Sequence, residues 1–576
     1  MWPFSSSPYK ALSEGKQRRR AEAVSTAPRF TPNEHGPFLK ATASEIVERI
    51  RRGEWTSLQV VSAYIARTAL AQETTNCVTE ALFADALQQA RDLDAEFVSS
   101  KTLRGPLHGV PVSFKDQYDI MGVDSTMGFS ALVQKPAEND ADVVALLKSA
   151  GAIPIVKTNV PQTMFSFECS NPVFGRTTNP YNQGYTSGGS SGGEAALLAM
   201  DGAALGVGSD VGGSLRIPSA YCGIYALKPS PLRVAYGGAG VVVPGFDAIT
   251  SVGGPMGRSV EDLVIFCRIT FGVQGRDPAV APVLYREPKL PVKLRFGYYT
   301  DYYIKASPAN HRAILETVAA LRNSGHECIE FEVPDPTEPF DIFVGLTSAD
   351  GYKTLLSNIE SDPLVKCFCI FAYALSLSFR IKDSSLFVVA HGTGLPLPTD
   401  TIQDAKFAAS LRATGVKPVR EYWGWLARRD RYIAKFYDQV WNKLGLDGII
   451  APVQALPQVS NGNFTTLFSL ATATILYNVV NSPVGCIPVT RIDPAKDGLT
   501  EEWTRAPSPS LVESALYHGK NPVYDPIAMR GMPIGIQLVG RKWEDEKVLA
   551  MMRVVDDALG KDRGFGPANW DEQDKL

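Results

Sequence analysis

The sequence predicts an α/β fold: one large domain in which a sheet carries helices on both faces. Three observations predict it. Strand-like and helix-like segments alternate along the chain, the pattern of layered sheet and helix. A hydrophobic fraction of 45% against 20% charged residues is enough for a large soluble core. No clean linker and no internal repeat divides the 576 residues.

The elements follow in order. Residues 1–40 are expected to form a polar, poorly ordered N-terminal arm that docks on the domain. Its basic run at 16–20, K-Q-R-R-R, reads as a solvated charge run, with a localisation or membrane-surface role as the alternative. The domain proper is expected over 41–560, followed by a C-terminal tail at 561–576. Residues 44–52 place Ile46, Val47 and Ile50 at helical spacing, with Ser44 as a candidate N-cap. A second helix is expected from Ser57, itself a candidate N-cap, to about Gln72. Residues 107–114 read as a strand ending at Lys115. A helix over 140–149 would use Asp140 as N-cap and stop at Gly151, and 153–156 would return as a strand.

Further on, a helix opens near Glu194, directly after a glycine cluster, and 204–208 reads as a strand running into a second glycine-rich loop. Residues 534–539 predict a strand and 544–559 a helix, with acids in its first turn and Gly560 beyond its end. The aromatic-rich stretch from about 280 to 450 is read as part of the same domain, shaping a substrate pocket.

Composition narrows the function. The formal charge of −3 offers no basic field for nucleic acid. The eight cysteines are scattered and fit neither a disulfide framework nor a zinc pattern, so a reducing, cytoplasmic setting is expected. No secretory signal is expected, and no run reaches the ~20 apolar residues of a membrane span. The most apolar stretch, 367–379, is too short to span. It reads as a buried helix or channel wall, with a membrane-resting cap as the alternative.

Two loops carry the chemistry. Residues 186–194, T-S-G-G-S-S-G-G-E, surround two serines with four glycines ahead of a helix, where backbone amides and the helix dipole favour negative charge. Residues 208–216, G-S-D-V-G-G-S-L-R, form a second glycine turn. The amides of Val211, Gly212, Gly213 and Ser214 there could make a nest for an oxyanion.

Three readings compete for these serines. A nucleophile elbow, G-x-S-x-G, would make Ser191 the nucleophile and require a late histidine, of which His518 alone qualifies. A phosphate loop would need a glycine-lysine or dinucleotide fingerprint that is missing. The third uses Lys115 as a base whose pKa burial has lowered. By itself, a lysine at a strand end is more often a solvated surface residue.

Taken together, the motifs resemble the amidase-signature family. Ser190 and Ser214 stand 24 residues apart within the two glycine loops, and Lys115 lies in G-V-P-V-S-F-K-D. The likeness continues through N-V-P-Q-T-M at 159–164, F-G-R-T-T-N-P at 174–180, Y-C-G-I-Y-A-L-K-P-S at 221–230 and G-M-P-I-G-I-Q-L-V-G at 531–540. Within the family, N-C-V-T-E and C-S-N-P-V-F-G-R look most like fungal acetamidase-type enzymes.

The resemblance implies a central twisted mixed sheet and a Ser-Ser-Lys triad. Ser214 would be the nucleophile, Ser190 the proton relay on a cis peptide bond, and Lys115 the base. Val211 to Ser214 would form the oxyanion hole. Met164 matches a substrate-contacting position, and Asp210 and Arg216 would hold the loop, a purely structural salt link being the equal alternative. The substrate would be a small-molecule amide, with no metal or cofactor, and a homodimer is the expected assembly. Two other functions stay open: an amidotransferase subunit, which would show glutamine dependence and partner chains, and an inactive binding protein, which would resist fluorophosphonate.

Overall fold

The computed structural model describes residues 8–365, 404–505 and 510–570. Its centre is an eleven-stranded mixed sheet with helices packed on it. The strands in chain order are β1 (Val78–Ala81), β2 (Pro111–Lys115), β3 (Ile153–Thr158), β4 (Ser170–Asn171), β5 (Gly175–Arg176), β6 (Leu205–Asp210), β7 (Tyr225–Lys228) and β8 (Val252–Gly257). They continue with β9 (Arg295–Tyr298), β10 (Glu327–Glu330), β11 (Gly448–Pro452), β12 (Val484–Arg491) and β13 (Pro533–Val539). β4 and β5 form a small separate hairpin, and the rest run β1-β3-β2-β6-β8-β7-β12-β13-β11-β9-β10.

The sheet is mixed as expected. β3, β2 and β6 run parallel, as do β11, β9 and β10, while the strands between them pair antiparallel. The parallel strands β2, β3 and β6 are buried from end to end, because helices cover both faces. In α/β sheets of this kind ligands bind beyond the carboxyl ends of the strands. Lys115, Thr158 and Asp210 terminate β2, β3 and β6.

Several expected boundaries move, each for a local reason. The first domain helix is Ala43–Arg51, capped by Thr42 rather than Ser44. The Thr42 hydroxyl accepts from the Glu45 amide at 3.3 Å, and the Glu45 carboxylate accepts from the Thr42 amide at 2.8 Å. The next helix, Ser57–Thr75, repeats this reciprocal box with Thr56 and Gln59, so Ser57 is its first residue and not its cap. The expected helix over 140–149 is Asp142–Ser149. Asp140 does not cap it; its carboxylate accepts from the Met121 amide at 2.9 Å and from Lys148 Nζ at 2.6 Å.

From Pro8 on, the N-terminal arm forms two helices, Pro8–Ser25 and Pro32–Leu39. Its basic run is not solvated throughout. Lys16 is buried between Glu80 and Asp124, and Arg20 donates to the Val78 carbonyl at 2.8 Å. The tail is anchored over its first ten residues. Trp570 is buried against Tyr181, and Arg563 reaches Asp556. The six described cysteines are buried and unbridged. The apolar stretch 367–379, with Cys367 and Cys369, lies outside the described residues. Among the described residues no helix is long and apolar enough to cross a membrane.

Candidate active site

Side chains alternate along a strand, so Ser113 and Lys115 share the face of β2 that the glycine loop covers. Ser113 donates to the Glu194 carboxylate, and Lys115 Nζ stands 2.6 Å from Ser190 Oγ. Lys115 is therefore not the solvated strand-end residue of the bland reading: its relative exposure is 0%. Burial pushes its pKa down to about 7, against the pull of Asp210, Cys169 and Glu194. At neutral pH a large fraction of this amine is unprotonated.

The loop bearing Ser190 is shaped by close approach. A Cβ on Gly193 would meet the Asn159 amide nitrogen at 2.4 Å, so only glycine lets the loop sit against β3. The Gly189–Ser190 peptide bond is cis. The helix Gly192–Ala199 follows at once, and Glu194 in its first turn also accepts from Thr158 Oγ1 at 2.6 Å. Burial raises the Glu194 pKa to about 7, against these two hydroxyl donors.

The second loop is held from below by Asp210. Its carboxylate accepts from the Gly213 amide at 2.9 Å and the Leu215 amide at 3.0 Å. Arg216 grips both oxygens, at 3.1 and 3.0 Å, and Asn478 donates at 2.8 Å. Burial would raise the Asp210 pKa, but Arg216 outweighs it and holds the group at about 2, ionised throughout the working range. From the other side Thr474 Oγ1 donates to the Gly212 carbonyl at 2.7 Å. Gly213 has φ +131, and a Cβ there would meet Thr474 Oγ1 at 2.4 Å.

This geometry divides the four expected oxyanion donors. The Gly213 amide is spent on Asp210, so it is not available to a ligand. Among the described residues the amides of Val211, Gly212 and Ser214 meet no protein acceptor. The expected pair Asp210–Arg216 is present and fully buried, and it sets the loop's shape directly. Arg216 also donates to the Thr474 carbonyl at 2.9 Å and to Gln537 at 2.7 Å. Arg216→Met should therefore lower the thermal midpoint, by the equivalent of about 3–5 kcal/mol for a buried charge left alone. Thermal unfolding followed by circular dichroism checks this; an unchanged midpoint would mean that the pair contributes nothing.

Ser190 and Ser214 open onto one cavity of about 310 Å³. Met164 lines it, carried on a left-handed turn with φ 68 at Thr163 and 55 at Met164. The aromatic-rich stretch contributes Thr347, Tyr352 and Leu355 to its lining. The other wall, with Leu232, Val234, Tyr236, Val242 and Phe246, comes from the β7–β8 connection, which sequence reasoning missed. Gln117 and Ser209 were also missed, although Gln117 directly follows the motif quoted for Lys115 and Ser209 lies inside that quoted for Ser214.

The elbow reading finds no support. Ser191 Oγ is bound to the Ser209 backbone, accepting its amide at 3.3 Å, and no histidine lines the cavity among the described residues. Among the described residues no group of three His, Cys, Asp or Glu side chains is placed to share a metal ion.

A family model described as Amidase matches residues 59–549. The chain belongs to the amidase family. Its members are amide hydrolases, and so is this amidase. Fatty-acid amide hydrolase 1 of Sus scrofa is 34% identical over 545 residues, covering 91% of this amidase and 87% of that protein. The acetamidase of Emericella nidulans is 31% identical over 545 residues, covering 91% and 90%. Among solved structures a fatty acid amide hydrolase superposes with a TM-score of 0.78 at 25% identity, over 96% of this amidase and 91% of that chain. A 6-aminohexanoate cyclic dimer hydrolase shares the fold, with a TM-score of 0.67 at 20% identity over 92% and 99%. The resemblance read from the motifs, including that to fungal acetamidases, is borne out.

Proposed function

We propose that this amidase cleaves a carboxylic amide through an acyl-ester on Ser214, with Ser190 as relay and Lys115 as base. The observation that carries the reading is the 2.6 Å contact of Lys115 Nζ with Ser190 Oγ, behind a cavity that Ser190 and Ser214 both line. Neutral Lys115 takes the Ser190 proton as Ser190 takes that of Ser214. Ser214 Oγ attacks the carbonyl carbon, and the π pair moves to oxygen, where the amides of Val211, Gly212 and Ser214 receive it. The C–N bond then breaks, and the leaving nitrogen takes a proton from Ser190, which Lys115 replenishes. Water releases the acid by the same relay, returning a proton to Ser214.

The acyl group we assign is apolar and larger than acetyl. Cavities of about 300–1,000 Å³ accommodate drug-sized ligands, and the walls here include valines, leucines, Phe246 and Tyr352 beside polar residues such as Thr250 and Asp247. A relative named for fatty-acid amides is consistent with this assignment. In a series of straight-chain primary amides, kcat/KM should rise about fourfold per methylene, the equivalent of ~0.8 kcal/mol, until the cavity is full. A maximum at acetamide would contradict the assignment.

A further inference from the structure

Lys115 has a second partner that the mechanism leaves unused. Its Nζ lies 2.8 Å from Ser209 Oγ. A neutral amine has two protons and one lone pair, so the direction of this bond matters. If Ser209 donated, its proton would occupy the lone pair that must receive the proton of Ser190.

The surroundings decide the direction. Gln117 Nε2 lies 3.2 Å from the Gly240 carbonyl oxygen and 2.7 Å from the Tyr236 hydroxyl. A carbonyl can only accept, so the amide NH₂ of Gln117 must face Gly240 and its oxygen must face away. Gln117 Oε1 then lies 2.6 Å from Ser209 Oγ. Ser209 has one proton, and only donation to Gln117 avoids setting two lone pairs against each other at that distance. Ser209 is left as an acceptor toward Lys115. The fixed end of the chain is firmly built, because the Gly240 amide also donates to the Gln117 carbonyl at 2.7 Å.

We propose that Gln117 and Ser209, oriented by the Gly240 carbonyl and Tyr236, form a one-way hydrogen-bond chain that keeps the Lys115 lone pair open toward Ser190. Gln117 and Ser209 are thus positioning residues, acting through Lys115. The inference rests on the triad reading above. The charged or titratable groups facing Lys115 are Asp210 at the end of β6, Glu194 from the helix Gly192–Ala199 and Cys169 ahead of β4. Gln117, one hydrogen bond away through Ser209, is neutral, and its identity sets both bond direction and local charge.

The test measures kcat, KM and pH profiles of three variants, with fluorophosphonate labelling of Ser214 in each. Gln117→Glu keeps the shape, but it turns an oxygen toward the Gly240 carbonyl and adds a negative charge near the amine. The acid limb of kcat/KM should move up by about one to two pH units. Ser209→Ala should lower kcat on the order of 10- to 100-fold with little change in KM, and Ser209→Thr, which keeps the hydroxyl, should restore it. Should Gln117→Glu fail to fold, the Ser209 pair still decides the matter. Unchanged profiles and kcat, with Ser214 still labelled, would overturn the chain while leaving the triad standing. Absence of Ser214 labelling in the unaltered protein would instead bring down the triad reading and this inference with it.

Discussion

Replacing Ser214 by alanine is expected to reduce kcat on the order of 10⁴- to 10⁶-fold while leaving the thermal midpoint nearly unchanged. The loss is large because the two serines of the neighbouring glycine loop are already engaged. Ser190 is committed to Lys115, and Ser191 to the Ser209 backbone. The fold should survive because the loop is shaped by groups other than the Ser214 hydroxyl. Asp210 holds the Gly213 and Leu215 amides, and Thr474 holds the Gly212 carbonyl. Single-turnover assays with circular dichroism on the same sample check both parts. Near-normal turnover in the alanine variant would remove Ser214 from the mechanism.

The second large effect belongs to Lys115. Lys115→Met keeps the length of the side chain and removes the base, so kcat should fall about 10²- to 10⁴-fold. The unaltered protein makes a linked prediction. Burial brings the Lys115 pKa down to about 7. Below that pH the amine is protonated and has no lone pair, so kcat/KM should fall about tenfold per pH unit. Above it the amine is neutral and the rate should level off. Asp210, held at about 2, does not titrate in this range and keeps its grip on the loop. In Lys115→Met the residual rate should lose this acid limb. An acid optimum in the unaltered protein would contradict a lysine base.

The sheet and the main chemical groups were legible because each leaves a local signature. The apolar run before Lys115 marks a buried strand, and glycines at 188–193 and 212–213 mark backbone that must turn tightly. The family resemblance separated the two serines, which composition alone could not. What escaped the sequence was set by long-range packing. The β7–β8 connection reaches the cavity only because β8 crosses back to pair with β6. Lys16 looks like one charge among several until Glu80 and Asp124, far along the chain, close around it.

Some misses were avoidable. Thr42 with Glu45 and Thr56 with Gln59 carry the capping-box spacing, which outranks the neighbouring serines. The diversion of the Gly213 amide to Asp210 has no sequence signal, since all four residues of the turn offer the same backbone donor.

The central claim is that Ser214 carries the acyl group. The most direct measurement treats the full-length protein with a fluorophosphonate, digests it and locates the adduct by mass spectrometry. The account predicts one adduct, on the peptide containing Ser214, and none in Ser214→Ala. An adduct on Ser190 or Ser191, or labelling that persists in Ser214→Ala, would contradict it.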